Sequence, residues 1–454
     1  MPSRAKTTTE SKVTFRPIRS LHPRPDNPRR HSKAQIRALA RSIEEFGFCS
    51  PILVDPDGKI VAGHARFEAA SHLGLTRVPT ICLNHLTADQ ARAYVVADNR
   101  LAEQSSWDRA TLAKEIEYLA SVSVDFDVTT TGFSTAEIDL ILEGEEEDAS
   151  DPSDEVPDPV PAAAAVSRRG DLWLLGPHRL LCGDATEATS FSRLLGRRRA
   201  QMVFVDLPYN VPISGHVCGS GRIRHREFAM ASGEMSPEQF ISFLEESLDL
   251  LARSSTDGAI LFACMDWRHV FEMSSAARQA GLELKNLVVW QKDNAGMGSL
   301  YRSQHELLFV LKSGQRPHIN NVALGKFGRN RTNVWTYAGA NSLRKGKRKQ
   351  LELHPTVKPV ALVASAISDC SNRGGIILDS FAGSGTTIIA AERTGRVGCA
   401  IEIDPVYVDV AIARFEKLTG APAVLDGTGQ SFEEVRQERA EAAEELVRAR
   451  RSRR

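Results

Sequence analysis

The tightest constraint on what this chain can fold into is a short apolar run at 201–205, QMVFV, that shows no alternation and ends directly on Asp206. A strand with one face in water alternates apolar and polar residues, so an uninterrupted run fits an interior parallel strand covered by helices on both faces. Two more such runs, at 375–378 (GIIL) and 397–401 (VGCAI), also end on acids, Asp379 and Glu402. Together they predict an open α/β sheet. Sheets of that kind hold ligands beyond the carboxyl ends of their strands, which makes the residues at those ends the first candidates for a site.

The chain has 454 residues, enough for about two or three domains. Its 57 Lys+Arg balance 57 Asp+Glu, which excludes a uniformly basic or acidic protein but leaves the distribution open. Residues 143–159 hold nine acids and no Lys or Arg, followed by PVPAAAAV to Val166, so an acidic Pro/Ala linker is expected over 143–166. Residues 307–351 hold ten Lys/Arg and no acid, a bias that suits a polyanion. Residues 431–454, rich in Glu, Ala and Arg and ending RARRSRR, read as a charged C-terminal tail in the form of a solvated helix with a basic end. Seven cysteines without a CxxC pair argue against a disulfide framework or a Cys-based zinc site, and they favour a reducing cytosol. No run is long and apolar enough for a membrane span, and the first residues lack the apolar core of a secretory signal. No metal site is expected.

Residues 13–142 read as a small α+β domain with a helical extension. Ser32 caps a helix with Gln35 three places on, Ile36, Leu39, Ile43 and Phe46 form its apolar stripe, and Gly47 ends it. Two short apolar runs around the turn at 55–58 predict a hairpin, and the second leads into Gly63, His64, Ala65 and Arg66 ahead of a helix closed by Gly74. With Asn27, Pro28 and Arg29, this series resembles the ParB N-terminal domain, also called the ParB/sulfiredoxin-like fold, over about 13–100. The resemblance implies a nucleotide or phosphate partner at the turn. A glycine at a strand-to-helix junction bares backbone N–H groups and Arg66 adds a bidentate donor, so Gly63, His64 and Arg66 form the expected phosphate turn. The family's usual Glu-Arg is replaced here by His64 and Ala65, a departure that bears on nucleotide hydrolysis and leaves it an open reading for this domain.

Residues 167–421 carry the chemistry. Asp206, Leu207, Pro208 and Tyr209 follow the first buried strand; Asp379, Phe381, Gly383, Gly385 and Thr386 follow the second; Glu402 lies 17 residues past Gly385, a spacing that suits a ribose hydroxyl pair. No Lys follows the glycines as in a phosphate-cradling P-loop. The two motifs together resemble the DNA amino-methyltransferases, S-adenosylmethionine enzymes that methylate adenine N6 or cytosine N4. Their order, with the basic segment between them, is similar to the circularly permuted β group, in which the intervening stretch, here 315–350, recognises the target. The resemblance implies a Rossmann-like methyltransferase domain acting on duplex DNA. Asp206 and the Leu207 carbonyl would accept from the target amino group, Pro208 would complete the motif, and Tyr209 would stack on a base flipped out of the duplex. The family usually has Pro where this chain has Leu207, and a main-chain carbonyl is available from either.

For the cofactor the resemblance implies Asp184 on the adenine amino group, Asp379 and the turn through Thr386 around the methionine half, Glu402 on the ribose, and Lys358 on the carboxylate. Arg329, Arg331, Arg344, Lys345, Lys347, Arg348 and Lys349 are expected to meet DNA phosphates, and His216, Arg222, Arg224 and His225 lie in a Gly-, Arg- and His-rich flap after the catalytic tyrosine. Trp335 fits either the core or a wedge. An acid in the first motif position resembles the adenine-N6 enzymes. Cytosine-N4 methylation, and a nucleotide-gated DNA-binding regulator with an inactive methyltransferase domain, are the alternatives. A bacterial or phage-encoded, cytoplasmic, nucleoid-associated enzyme of the restriction-modification type is expected, and a homodimer is compatible with it.

Overall fold

A computed structural model of the chain describes residues 12–122, 127–143, 152–157, 164–210, 233–293, 300–322, 331–338 and 357–452, with the single positions 159, 161, 295 and 325. It divides into two units, Met1–Gly144 and Glu145–Arg454.

The first unit contains β1 (Val13–Pro17), α1 (Lys33–Phe46), β2 (Ile52–Val54), β3 (Ile60–Ala62), α2 (His64–His72), β4 (Arg77–Cys82), α3 (Ala88–Ala102), α4 (Arg109–Val122) and α5 (Thr135–Glu143). Its sheet runs β1-β4-β2-β3. Ser32 caps α1, its hydroxyl accepting from Gln35 N at 3.1 Å. The β2–β3 hairpin forms as expected, closed by Gly58 N donating to Asp55 O at 3.0 Å. Ile52, Val54, Ile60, Ala70 and Val78 make a small core, while Ile116, Val128 and Ile138 form a separate one under α4 and α5.

The second unit contains β5 (Leu172–Leu175), β6 (His178–Cys182), α6 (Ala188–Leu195), β7 (Ala200–Asp206), α7 (Pro237–Arg253), β8 (Ser255–Met265), α8 (Val270–Gln279), β9 (Glu283–Gln291), β10 (His305–Lys312), β11 (Val334–Thr336), α9 (Val360–Cys370), β12 (Ile376–Asp379), α10 (Thr386–Arg393), β13 (Val397–Glu402), α11 (Pro405–Thr419), β14 (Ala423–Leu425) and α12 (Phe432–Ser452). All ten strands form one sheet in the order β11-β9-β10-β8-β7-β12-β13-β6-β5-β14. The central run from β8 to β6 is parallel, and the apolar runs at 201–205, 375–378 and 397–401 supply its interior. Their side chains alternate between two clusters: Met202 and Phe204 lie in one with α9 and α10, Val203 and Val205 in the other with α7 and α8. That two-sided burial is why these strands lack an amphipathic pattern. Chain order reverses between β7 and β12, so the loops leaving these neighbouring strands diverge and open a crevice at their carboxyl ends.

Two expectations are corrected. The stretch 143–166, expected to be an unpacked linker, is docked in part: Ser153 is buried, Ser153 O accepts from Arg414 at 2.8 Å, and Val166 N donates to Asp409 at 2.6 Å. The helix expected in the tail forms, but its first turns are packed and not solvated. Val435 is buried, Phe432 meets Trp173 edge-on at 5.3 Å, and Arg439 donates to both carboxylate oxygens of Asp171. Composition hid both, because a few anchoring residues suffice to dock an otherwise charged segment. Among the described residues no helix is long and apolar enough to cross a membrane.

Candidate active site

Four acids stand at the carboxyl ends of adjacent parallel strands: Asp184 after β6, Asp206 on β7, Asp379 on β12 and Glu402 on β13. Parallel register places them along one edge, and the reversal between β7 and β12 sets Asp206 beside the glycine turn. Leu207 is fully buried among the apolar residues under α7, which fixes the chain where a Pro would otherwise stiffen it.

Asp206 sits in a charged cluster. Lys358 Nζ donates to Asp206 Oδ2 at 2.6 Å and to Tyr209 OH at 3.2 Å, and it lies 3.2 Å from Glu306 Oε2. Tyr209 OH donates to Asp206 Oδ1 at 2.7 Å, and Glu306 is paired on its other side with Lys292. Burial pushes the Glu306 carboxyl up, but Lys358 and Lys292 outweigh it and hold the group at about 2. Burial also opposes charge on Lys358, yet Asp206 and Glu306 raise its pKa well above the ordinary lysine value. Tyr209 is raised well above the ordinary phenol value, by burial first and then by Asp206 and Glu306, so its hydroxyl stays a donor. Lys358, expected at the cofactor carboxylate, is therefore placed against the catalytic motif. Glu306 and Lys292 were missed because the sequence HELLF at 305–309 reads only as a strand. The one available signal was a carboxylate at the start of an apolar run whose neighbours face the switch point.

Asn210, directly after Tyr209, is the one non-glycine residue with positive φ (51°) among those described. Its amide accepts from Gly233 N at 3.0 Å and Met235 N at 3.2 Å and donates to Met235 O at 2.9 Å. It thus clasps the two ends of the flap together. The flap residues His216, Arg222, Arg224 and His225 lie outside the described residues.

The turn after β12 is tied to the sheet by its acids. Asp379 accepts from Phe381 N at 3.0 Å and Thr387 Oγ1 at 2.6 Å; Glu402 accepts from Gly383 N at 2.7 Å and Asp404 N at 2.9 Å. Burial raises both carboxyls to about 7 against these hydrogen bonds. Gly383 (φ 50°) has open space where a Cβ would stand, whereas a Cβ on Gly385 (φ 81°) would lie 2.7 Å from Ala411 Cβ. Gly385 is thus needed for helix packing. Thr386 is buried under Arg414, which donates to its hydroxyl at 3.0 Å. Asp184 accepts from Thr186 N at 2.9 Å and pairs with Arg169 at 3.4 Å.

Of the expected DNA contacts, Arg331 is corrected. Its guanidinium pairs with buried Asp369 at 3.3 Å and lies 4.2 Å above the Trp335 ring, so it is turned into the fold. Trp335 itself is core. Arg329, Arg344, Lys345, Lys347, Arg348 and Lys349 lie outside the described residues, as does most of 315–350. In the first unit Gly63 takes φ 98° and the Arg66 guanidinium folds back over it, where a Cβ would come within 2.9 Å. Arg66 Nη2 donates to Pro51 O at 3.3 Å, and His64 is buried as the first residue of α2. Among the described residues no group of three or more His, Cys, Asp or Glu could hold a metal ion.

A doubly wound sheet with a carboxylate–tyrosine pair at the end of β7 and a glycine turn after neighbouring β12 is an open α/β domain with a crevice at its switch point, where such sheets hold ligands. The DNA methylase family model matches residues 200–413, the ParB N-terminal domain 3–99 and the ParB-methyltransferase HTH domain 110–169. The Type II methyltransferase M.ScaI of Streptomyces caespitosus is 39% identical over 212 residues, covering 40% of this chain and 69% of its own. M2.DpnII of Streptococcus pneumoniae is 27% identical over 223 residues, covering 47% and 82%. The ParB-like nuclease domain-containing protein YnaK of Escherichia coli (strain K12) is 43% identical over 79 residues, 17% of this chain and 91% of its own. The chain belongs to the N6/N4 DNA methylase family and carries a ParB N-terminal domain ahead of the methylase domain.

Proposed function

We propose that the protein transfers a methyl group from S-adenosylmethionine to adenine N6 in duplex DNA. The observation that carries this reading is that Asp206 ends β7, with Leu207, Pro208 and Tyr209 following it, across the switch point from the glycine turn after β12. The turn fits the cofactor: Gly383 opens onto free space beside the Glu402 carboxylate, and half-buried Asp184 and Phe381 border the same strand ends. Asp379, Phe381 and Gly383 would hold its methionine half, Glu402 its ribose and Asp184 its adenine, while Gly385 and Thr386 keep the turn in shape. The bound cofactor supplies an electrophilic sulfonium methyl.

An exocyclic amino group is a weak nucleophile because its lone pair is delocalised into the ring. Acceptors aimed at both amino protons localise that pair and stabilise the positive charge that develops on nitrogen. Asp206 offers one acceptor and the Leu207 carbonyl the other. Lys358 and the Tyr209 hydroxyl hold the carboxylate in place, and the Tyr209 ring offers a stacking face to a base swung out of the duplex. The acid in the first motif position supports adenine over cytosine.

The test is transfer of labelled methyl to unmethylated duplex DNA, followed by mass spectrometry of the nucleosides. N6-methyladenine is the expected product, falling at least about 10²-fold in Asp206→Ala, as for loss of a transition-state contact. N4-methylcytosine would replace the adenine reading with the cytosine one, and full activity of Asp206→Ala would remove the mechanism.

A further inference from the structure

Asp154, in the acidic stretch at the start of the second unit, bonds the helix that follows Lys358 of the catalytic cluster. Helix α9 begins at Val360, directly after Lys358 and Pro359, and its N-cap Pro359 makes no side-chain capping bond. The first N–H groups of a helix have no partner within it, and Pro359 leaves Val360 N as the first of them. Asp154 supplies the partner, its Oδ1 accepting from Val360 N at 2.9 Å. A carboxylate there also complements the positive end of the helix. The preceding residue is anchored independently: Ser153 O accepts from Arg414 Nε at 3.2 Å and Nη2 at 2.8 Å, and Arg414 Nη1 reaches Thr386 on the glycine turn. Asp154 is therefore held from one side by α11 and holds the entry to α9 on the other. Two residues from that entry, buried Lys358 meets Asp206 at 2.6 Å.

We propose that Asp154 is a positioning residue of the transferase: by fixing Val360 it sets the backbone of Lys358, and through Lys358 the orientation of the Asp206 carboxylate. The segment leading in from the ParB-like unit is then part of the catalytic apparatus. A chain started at the methylase motifs would lack it.

This role rests on methyl transfer as the reaction of the site, so the test pairs activity with a readout that does not depend on it. In the full-length chain, Asp154→Ala, Asp154→Asn and, as a cap removed elsewhere, Glu434→Ala are compared with wild type. Glu434 accepts from Ser431 N at 2.7 Å at the start of α12. Acetylation of Lys358 by an amine-reactive ester is followed by peptide mass spectrometry alongside kcat and KM. Misplacing a catalytic group by an ångström costs up to about 10²-fold, so Asp154→Ala is expected to lower kcat about tenfold or more with KM little changed. Lys358 labelling should rise in the same variant, Asp154→Asn should recover most of both effects because its amide oxygen still accepts, and Glu434→Ala should change neither. Lys358 labelling in Asp154→Ala that stays at the wild-type level, or a change matched by Glu434→Ala, overturns the proposal. Absence of methyl transfer by wild type would instead count against the proposed function, with the labelling still deciding the role of Asp154.

Discussion

Lys358 is the residue on which the charge of the site turns, because it is a buried cation between Asp206 and Glu306. Replacing one member of a buried ion cluster strands the others, typically at a cost of about 3 kcal/mol or more. Lys358→Met is therefore expected to reduce the unfolding free energy measured in urea by that amount and to abolish most methyl transfer, whereas a residue that only touched the cofactor would leave the stability alone. Glu402 gives a second residue-level prediction. Its carboxyl is raised by burial from 4.5 to about 7, so the folded state binds a proton that the unfolded state releases. The stability it contributes is fully present below about 4.5 and is lost as pH rises towards 7. With Glu402 on the ribose as proposed, cofactor binding should follow the opposite course, since the ionised carboxylate is the better acceptor for ribose hydroxyls. Affinity measured by calorimetry should rise between pH 6 and 8, by up to about tenfold per unit below the pKa, and Glu402→Gln should weaken both trends while leaving the part contributed by Asp379, whose carboxyl is also raised to about 7.

At the scale of elements, the glycine turn shows which parts of a motif serve packing. Gly385 lets α10 lie against α11, and Gly385→Ala would put a methyl 2.7 Å from Ala411 Cβ in a left-handed backbone conformation. A loss of about 2–3 kcal/mol is expected, read as a lower melting temperature, with more harm than a Gly383→Ala change, whose methyl meets open space. Elements also mark how far the sequence was legible. Asp206, Asp379 and Glu402 could be found because each ends a run buried on both faces, and strand direction alone puts such ends together. Glu306 could not, since it belongs to an antiparallel pair, β9–β10, whose reach into the crevice depends on sheet order. Arg331 looked like its basic neighbours until Asp369 and Trp335, distant from the motifs in sequence, were brought to it. Asp154 was hidden by composition, as one acid among nine in a stretch whose average argues against structure.

For the whole molecule, the balance of 57 positive and 57 negative side chains is a sum over segments of opposite character. The acids of 143–159 are partly engaged by the methylase unit itself, at Val360 and at Lys417. The acid-free 307–351 lies between the catalytic and cofactor motifs; Lys312, Arg316 and Arg331 are paired with Glu283, Asp257 and Asp369, and the densest positive run in its sequence is 344–349. DNA affinity should therefore fall steeply with salt although the net charge is zero. Neutralising Arg344, Lys345, Lys347, Arg348 and Lys349 should reduce the slope of log K against log salt by about 0.9 for each DNA phosphate that is no longer neutralised, as measured by fluorescence anisotropy on duplex DNA.

The sheet order has a consequence for how the protein is made. β6, at residues 178–182, pairs with β13, at residues 397–402, and β7 at 200–206 pairs with β12 at 376–379. The pairings that close the centre of the sheet thus wait for the last third of the chain to leave the ribosome. At ordinary rates of synthesis, about 5–20 residues per second, the apolar strands made first remain without these neighbours for roughly ten seconds or more. The ParB-like unit, whose sheet is complete by Cys82, can fold long before then, so during translation a folded head precedes an unsatisfied sheet, and this interval is when the nascent chain has most need of a chaperone.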